Sequence, residues 1–230
     1  MEANTVWKQR FSNWACGALT GAVGLVTGGV VMAVYRLISA HTWGTFPSTP
    51  LTFALTFVAL DVLYYWQHRA EHRLPALWAI HAVHHQSNIC DTSVSLRTSM
   101  FAPLSVLTFH LVLAVVGVPF KTYFPAYLLH TGLIFLLHSR TPRALDRAGW
   151  LLNSPFLHRG HHSNHPRLRG KNFGGVFIVW DRLFGTFEAQ CEDATEFGIG
   201  QAGTPLNPLV ANFAPLRAAA ARWLPRRAAR

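Results

Sequence analysis

Three stretches of this 230-residue chain repeat one arrangement of histidine, and that repetition limits what the chain can fold into. In DVLYYWQHRAEHRLPALWAIHAVHH, residues 61 to 85, His68 and His72 are four apart, and His81, His84 and His85 follow. The His-x-x-His-His spacing returns at His158, His161 and His162. On a helix, positions four apart share a face, so His68 and His72 point into one site. Within each His-x-x-His-His stretch the last two side chains diverge by about 100° and can serve different ions. Eight clustered imidazoles exceed what one ion takes, which implies two metals, and neutral imidazole suits Fe, Zn, Cu and Ni alike. No Glu-x-x-His occurs, so a carboxylate-bridged bundle site is excluded in favour of an all-histidine one.

The frame around these clusters is apolar. Half of the residues are apolar and 13% are charged, a membrane-protein balance. Residues 15 to 35 carry no charge and are long enough to span a bilayer, and further spans are expected at 51–67, 101–120 and 122–138. Lys8 and Arg10 precede the first stretch, which exceeds the length of a signal-peptide core and is read as an uncleaved anchor. Gly17, Gly21, Gly24 and Gly28 form a small-residue stripe on it, read as internal packing in preference to a dimer seam. Pro75 separates two helices. The expected fold is an all-α integral membrane protein: four transmembrane helices under a helical cap, residues 67–100 and 139–204, that carries the histidine-rich di-metal site. Residues 1–204 then form one membrane domain, and 205–230 a basic interfacial or disordered tail.

Four crossings put 18 of the 20 Lys and Arg, all but Arg36 and Lys121, on the histidine side, so the positive-inside rule places the clusters in the cytoplasm. The basic excess serves the anionic leaflet and not nucleic acid, because it flanks apolar runs. Cys16, Cys90 and Cys191 are scattered, which gives neither a disulfide framework nor a thiolate site.

The segments DVLYYWQHRAEH, LWAIHAVHHQS, NSPFLHRGHHSN and KNFGGVFIVWDRLFGTFE, over residues 58 to 188, resemble the fatty acid hydroxylase superfamily, which includes sterol desaturases and other histidine-box membrane enzymes. The resemblance implies a di-iron centre on the cytoplasmic face and an O₂-dependent monooxygenase-type oxidoreductase that hydroxylates or desaturates a fatty acyl, sterol-like or alkyl lipid, in a bacterial inner membrane. It assigns His68, His72, His81, His84, His85, His158, His161 and His162 as metal ligands and adds His138, before the last box. His110, His130 and His165 stay open.

Asp61, seven positions before His68 on the same helical face, is expected to accept a ligand's second N–H, with Asp181 in a comparable role. No flavin, haem or iron–sulfur motif is present, so electrons are expected from a ferredoxin or cytochrome b5-like protein fed by an NAD(P)H reductase, docked on the basic face. Three rivals are weighed. A carotenoid-hydroxylase-like enzyme shares the chemistry. An intramembrane zinc peptidase would use His68, Glu71 and His72 from the H-R-A-E-H box, with Glu71 as base, but leaves two clusters unemployed. A metal transporter would hold its ligands near mid-membrane. On the leading reading Glu71 is a solvated residue or one that supports a ligand, and a bystander to the chemistry.

Overall fold

The computed structural model describes residues 3–42, 44–139, 149–199 and 204–223. The described residues fold into helices α1 (Ala3–Ala40), α2 (Pro50–Arg73), α3 (Pro75–His85), α4 (Ala102–Val115), α5 (Phe120–Leu136), α6 (Pro155–His162), α7 (Val179–Leu183) and α8 (Pro208–Trp223), with a 3₁₀ turn over Thr92–Leu96. Two isolated bridges, Leu152 with Phe177 and Ser163 with Phe197, are the only extended pairings among them.

α1 is longer than the apolar run predicts. At 1.5 Å per residue it reaches about 57 Å, and among the described residues it is the helix long and apolar enough to cross a membrane. Its extra turns are polar and belong to the cap, where Gln9, Ser12 and Asn13 are buried. The other three expected spans appear as helices with shifted limits. α4 stops at Val115 and not at Phe120, because Gly117 adopts a left-handed φ of 92° and Pro119 opens the next helix. A side chain at Gly117 would collide with the Gly44 carbonyl, and the Gly117 carbonyl accepts from Phe46 N at 3.0 Å, which ties the two loops at this end. α5 closes at Leu136, so His138 lies just beyond it. Pro75 does separate α2 from α3, with Leu74 extended between them as C-cap of one and N-cap of the other.

α1, α2, α4 and α5 pack together, with α2 against both α5 and α4 and α1 against α4. Tyr35, Leu60, Leu113, Ala114, Val118, Tyr123 and Ala126 form the core at the end away from the histidines. There the Tyr35 and Tyr123 rings stack at 4.0 Å, and Tyr35 Oη donates to the Val118 carbonyl at 3.1 Å. Of the glycine stripe, only Gly17 makes a close approach, against Leu96. Around Gly21, Gly24 and Gly28 a Cβ would meet nothing within 4 Å, so this face of α1 is open and not packed.

The cap hangs on Arg97, which is fully buried. Its guanidinium donates to Val83 O, Ser12 Oγ, Asn13 Oδ1, Gln86 Oε1 and Pro205 O, joining α1, α3 and the segment before α8. All five acceptors are neutral, so the charge is stabilised by dipoles alone.

The stretch expected as an interfacial or disordered tail is, over Pro208–Trp223, a helix docked on α3 and α1. Asn212, wholly buried, accepts from Ser99 Oγ and Met100 N, and Gln86 Nε2 donates to Ala211 O at 3.0 Å. Those polar anchors are invisible to a reading based on charge. Residues 224–230 of that tail, and Arg140, Arg143 and Arg147 of the basic loop, lie outside the described residues.

Replacing Arg97 with Met removes the donor from four buried acceptors and one part-buried one, and a buried acceptor left unpaired costs about 1–3 kcal/mol. The variant is expected to lose about 3 kcal/mol or more, read as a lowered melting midpoint of the detergent-solubilised protein, and Arg97→Lys is expected to recover little of it.

Candidate metal centre

The last turns of α2, all of α3, the residues after α5, and α6 converge on one point. His68, His72, His81, His85 and His161 form one group, and His84, His138, His158 and His162 a second, with ligand atoms inside each group within 4.8 Å of one another. All nine histidines singled out by sequence are therefore brought together, and each His-x-x-His-His stretch divides as its helical angles require. His81 and His85 go to the first group and His84 to the second, while His158 and His162 go to the second and His161 to the first. The groups abut, for the rings of His85 and His162 stack at 4.4 Å.

The residues fit a pair of metal ions on three observations. First, ring nitrogens face one another where neutral imidazoles have no reason to crowd. His72 and His81 lie 3.1 Å from His85, Nε2 to Nε2, and in the second group His138 lies 3.1 Å from His84, His158 and His162. With metal–nitrogen bonds of about 2.0–2.1 Å, neighbouring ligand atoms fall near that separation. Second, in three of the nine the opposite ring nitrogen is committed to a main-chain carbonyl. Nδ1 of His68 donates to Phe173 O at 2.9 Å, that of His84 to Arg97 O at 3.1 Å and that of His161 to Lys171 O at 2.9 Å, which turns each Nε2 lone pair inward. Third, Nε2 of His68 and of His161 is buried with no hydrogen-bond partner among the described residues.

Electrostatics agree. Burial, reinforced by neighbouring imidazoles, holds His85 and His162 well below the usual histidine range. Burial also takes His84 and His161 down to about 3 against the pull of their carbonyl partners. All four are therefore neutral at physiological pH, the form in which imidazole binds a metal.

Glu71 is no bystander. Its Oε2 accepts from His81 Nδ1 at 2.9 Å, and its Oε1 accepts from Ser105 Oγ at 2.6 Å and Gln67 Nε2 at 3.0 Å. Burial alone would raise its pKa, but His81, Ser105 and Gln67 outweigh it and keep the carboxyl ionised below its ordinary value. Glu71 thus orients a clustered histidine, the role expected of Asp61. The i, i+10 relation between Glu71 and His81 crosses the bend at Pro75, so no single-helix periodicity reveals it.

Asp61 accepts from none of the nine. His130 Nε2 at 2.7 Å, Val176 N at 2.7 Å, Phe177 N at 3.0 Å and Trp180 Nε1 at 2.7 Å are its partners. Asp181 accepts from Phe173 N at 2.8 Å, Gly174 N at 2.6 Å and Thr186 Oγ1 at 2.6 Å. Together the two carboxylates pin the loop whose Phe173 carbonyl holds His68, so their effect on the centre passes through backbone. Gly175 is required in this loop, since a Cβ there would sit 2.6 Å from Asp61 Oδ1. His110 and His165, like His130, fall outside both groups.

A cavity of about 450 Å³ runs from His81, His84 and His138 down between α1, α4 and α5, with Val31, Val106 and Ile134 among its apolar lining. Its size lies within the range of small-molecule sites. Tyr64 lines it, whereas Tyr65 stacks on Phe184 at 5.3 Å.

Two measurements test this geometry. Metal analysis of the purified protein is expected to give two ions per chain, falling towards one in His162→Ala, while Glu71→Gln is expected to weaken retention of the first ion by about 10–100-fold. Because His84 and His161 stay neutral in the folded state down to about 3 whereas their ordinary value is 6.5, the unfolded chain takes up protons first on acidification. Stability of the metal-free protein is therefore expected to fall from about pH 6.5 towards 3, seen as a decreasing melting midpoint.

The fatty acid hydroxylase family model matches residues 53–186, a span that contains all nine histidines. The chain is similar to alkylglycerol monooxygenase of Danio rerio, with 37% identity over 61% of this chain and 31% of that protein, and to alkylglycerol monooxygenase of Homo sapiens, with 33% identity over 72% and 37%. It is also similar to the ornithine lipid hydroxylase OlsE of Rhizobium tropici, with 25% identity over 64% and 45%. The chain spans about a third of the length of the alkylglycerol monooxygenases it matches. No solved structure gives a significant match.

Proposed function

The chain belongs to the fatty acid hydroxylase family, and from that premise we propose that it is a membrane-bound, di-iron, O₂-dependent oxidoreductase that hydroxylates an unactivated carbon of a lipid. The observation that carries the reading is the meeting of two buried all-histidine groups with one apolar cavity, which brings a hydrocarbon chain to His81, His84 and His138. The lipid-acting names of its relatives support the substrate class.

With two irons bound, such a site would supply activation of O₂ and abstraction of hydrogen from C–H. Hydroxylation puts one oxygen atom into the substrate and releases the other as water, consuming two electrons and two protons. The chain's own part is binding and exclusion. The cavity wall sheathes the hydrocarbon and keeps water from the reacting carbon. Phe173 O, Arg97 O, Lys171 O and Glu71 fix the ring orientations, so the ligands need not reorganise. The buried Glu71–His81 pair holds a proton at His81 Nδ1, beside the cavity.

The four-helix arrangement of α1, α2, α4 and α5 supports a membrane domain with the histidine cap on the cytoplasmic side, where the basic residues concentrate. Electrons would come from an acidic carrier, a ferredoxin or cytochrome b5-like protein, meeting cap arginines such as the exposed Arg169 and Arg182. A zinc peptidase is disfavoured by Glu71 itself, because a carboxylate already bound to His81, Ser105 and Gln67 is not free to activate water.

Iron-loaded protein in bilayer discs, given reductant, carrier and ¹⁸O₂, is expected to convert lipids to products carrying one ¹⁸O atom. Alkene without label would shift the reading to desaturation, and turnover that persists without O₂ would remove it.

A further inference from the structure

Away from the metal groups, α4 carries one polar side chain that packing leaves half-used. His110 is 4% exposed and lines the cavity. Its Nδ1 lies 2.9 Å from Tyr123 Oη, while its Nε2 is buried and has no hydrogen-bond partner among the described residues. A ring nitrogen in low dielectric without a partner is costly, so the site is built for a group that arrives with the ligand. The opposing wall makes room for that ligand, since Gly24 and Gly28 of α1 line the same cavity with nothing within 4 Å of where a side chain would begin.

His110 is set well apart from the histidine groups. Tyr127, whose ring lies 5.6 Å from that of His110, and His138 both line the cavity. Along α5 from Tyr127 to its end at Leu136 the run is roughly 14 Å at 1.5 Å per residue, and His138 follows.

We propose that His110 Nε2 is a binding site for an oxygen function on the lipid substrate, remote from the carbon presented to His81, His84 and His138. Tyr123 Oη donating to Nδ1 leaves Nε2 a donor, and the reverse leaves it an acceptor; a hydroxyl satisfies both. The ligand class is therefore a long hydrocarbon with a hydroxyl at one end, its oxygen at His110 and its chain running towards the metal groups. This inference rests on the lipid-oxidising reading for its chemistry, but its test is a binding measurement.

Equilibrium binding of radiolabelled hexadecanol and of hexadecane to the iron-loaded full chain, in the same detergent, is expected to favour the alcohol by about tenfold. His110→Phe is expected to abolish that preference by weakening the alcohol alone, with iron content unchanged, and His110→Gln to restore part of it. Should His110→Phe fail to fold, Tyr123→Phe removes the hydroxyl that orients the ring and is expected to lower the preference likewise. Equal affinity of the unaltered protein for the two probes, or an equal loss of both in the variants, overturns the proposal. Protein that shows the preference yet oxidises no lipid would retain the binding site and lose the oxygenase reading, and protein that oxidises lipid without the preference would do the reverse.

Discussion

Nine imidazoles can share so small a volume only if their rings are held in fixed orientations. In four of them the protein does so by committing the outer ring nitrogen. His68, His84 and His161 donate to main-chain carbonyls and His81 to Glu71, so the inner nitrogens are fixed as lone pairs before any ion arrives. Burial then keeps His68, His84 and His161 uncharged. A carbonyl is a good orienter only if its own backbone cannot move, and much of the remaining fold serves that requirement. Asp61 and Asp181 immobilise the loop that carries the Phe173 carbonyl, and the Arg97 guanidinium immobilises the residue whose carbonyl holds His84.

The pattern of the centre was legible because it is local. The 3.6-residue repeat separates His84 from His85 and His161 from His162, and the structure divides them between the two groups along that line. Pro75, with its fixed φ and missing donor, marks the α2–α3 boundary for equally local reasons. What the sequence hides is tertiary closure. Asp61 sits on the expected face of α2, yet the first donors it meets are those of a loop more than a hundred residues away. Glu71, which the H-R-A-E-H box makes look like a hydrolytic base, is instead turned to His81 by the bend at Pro75.

Apolar segments were similarly half-legible. Hydropathy locates α1, α2, α4 and α5 but not their ends, because polar turns that extend α1 into the cap are stabilised by partners such as Arg97 and Ser93, not by their own propensity. The glycine stripe shows the same limit. Small residues permit close packing, as at Gly17, but they equally permit vacancy, as at Gly24 and Gly28, and only the neighbouring helices decide which. α8 reads as an interfacial helix or a disordered tail, and what sequence does not show is Asn212 bridging it to Ser99 and Met100.

The division of His84 from His85 and of His161 from His162 means that α3 and α6 each serve both groups. Two ions bound here would therefore be coupled through α3 and α6, and loss of one would disturb the ligands of the other.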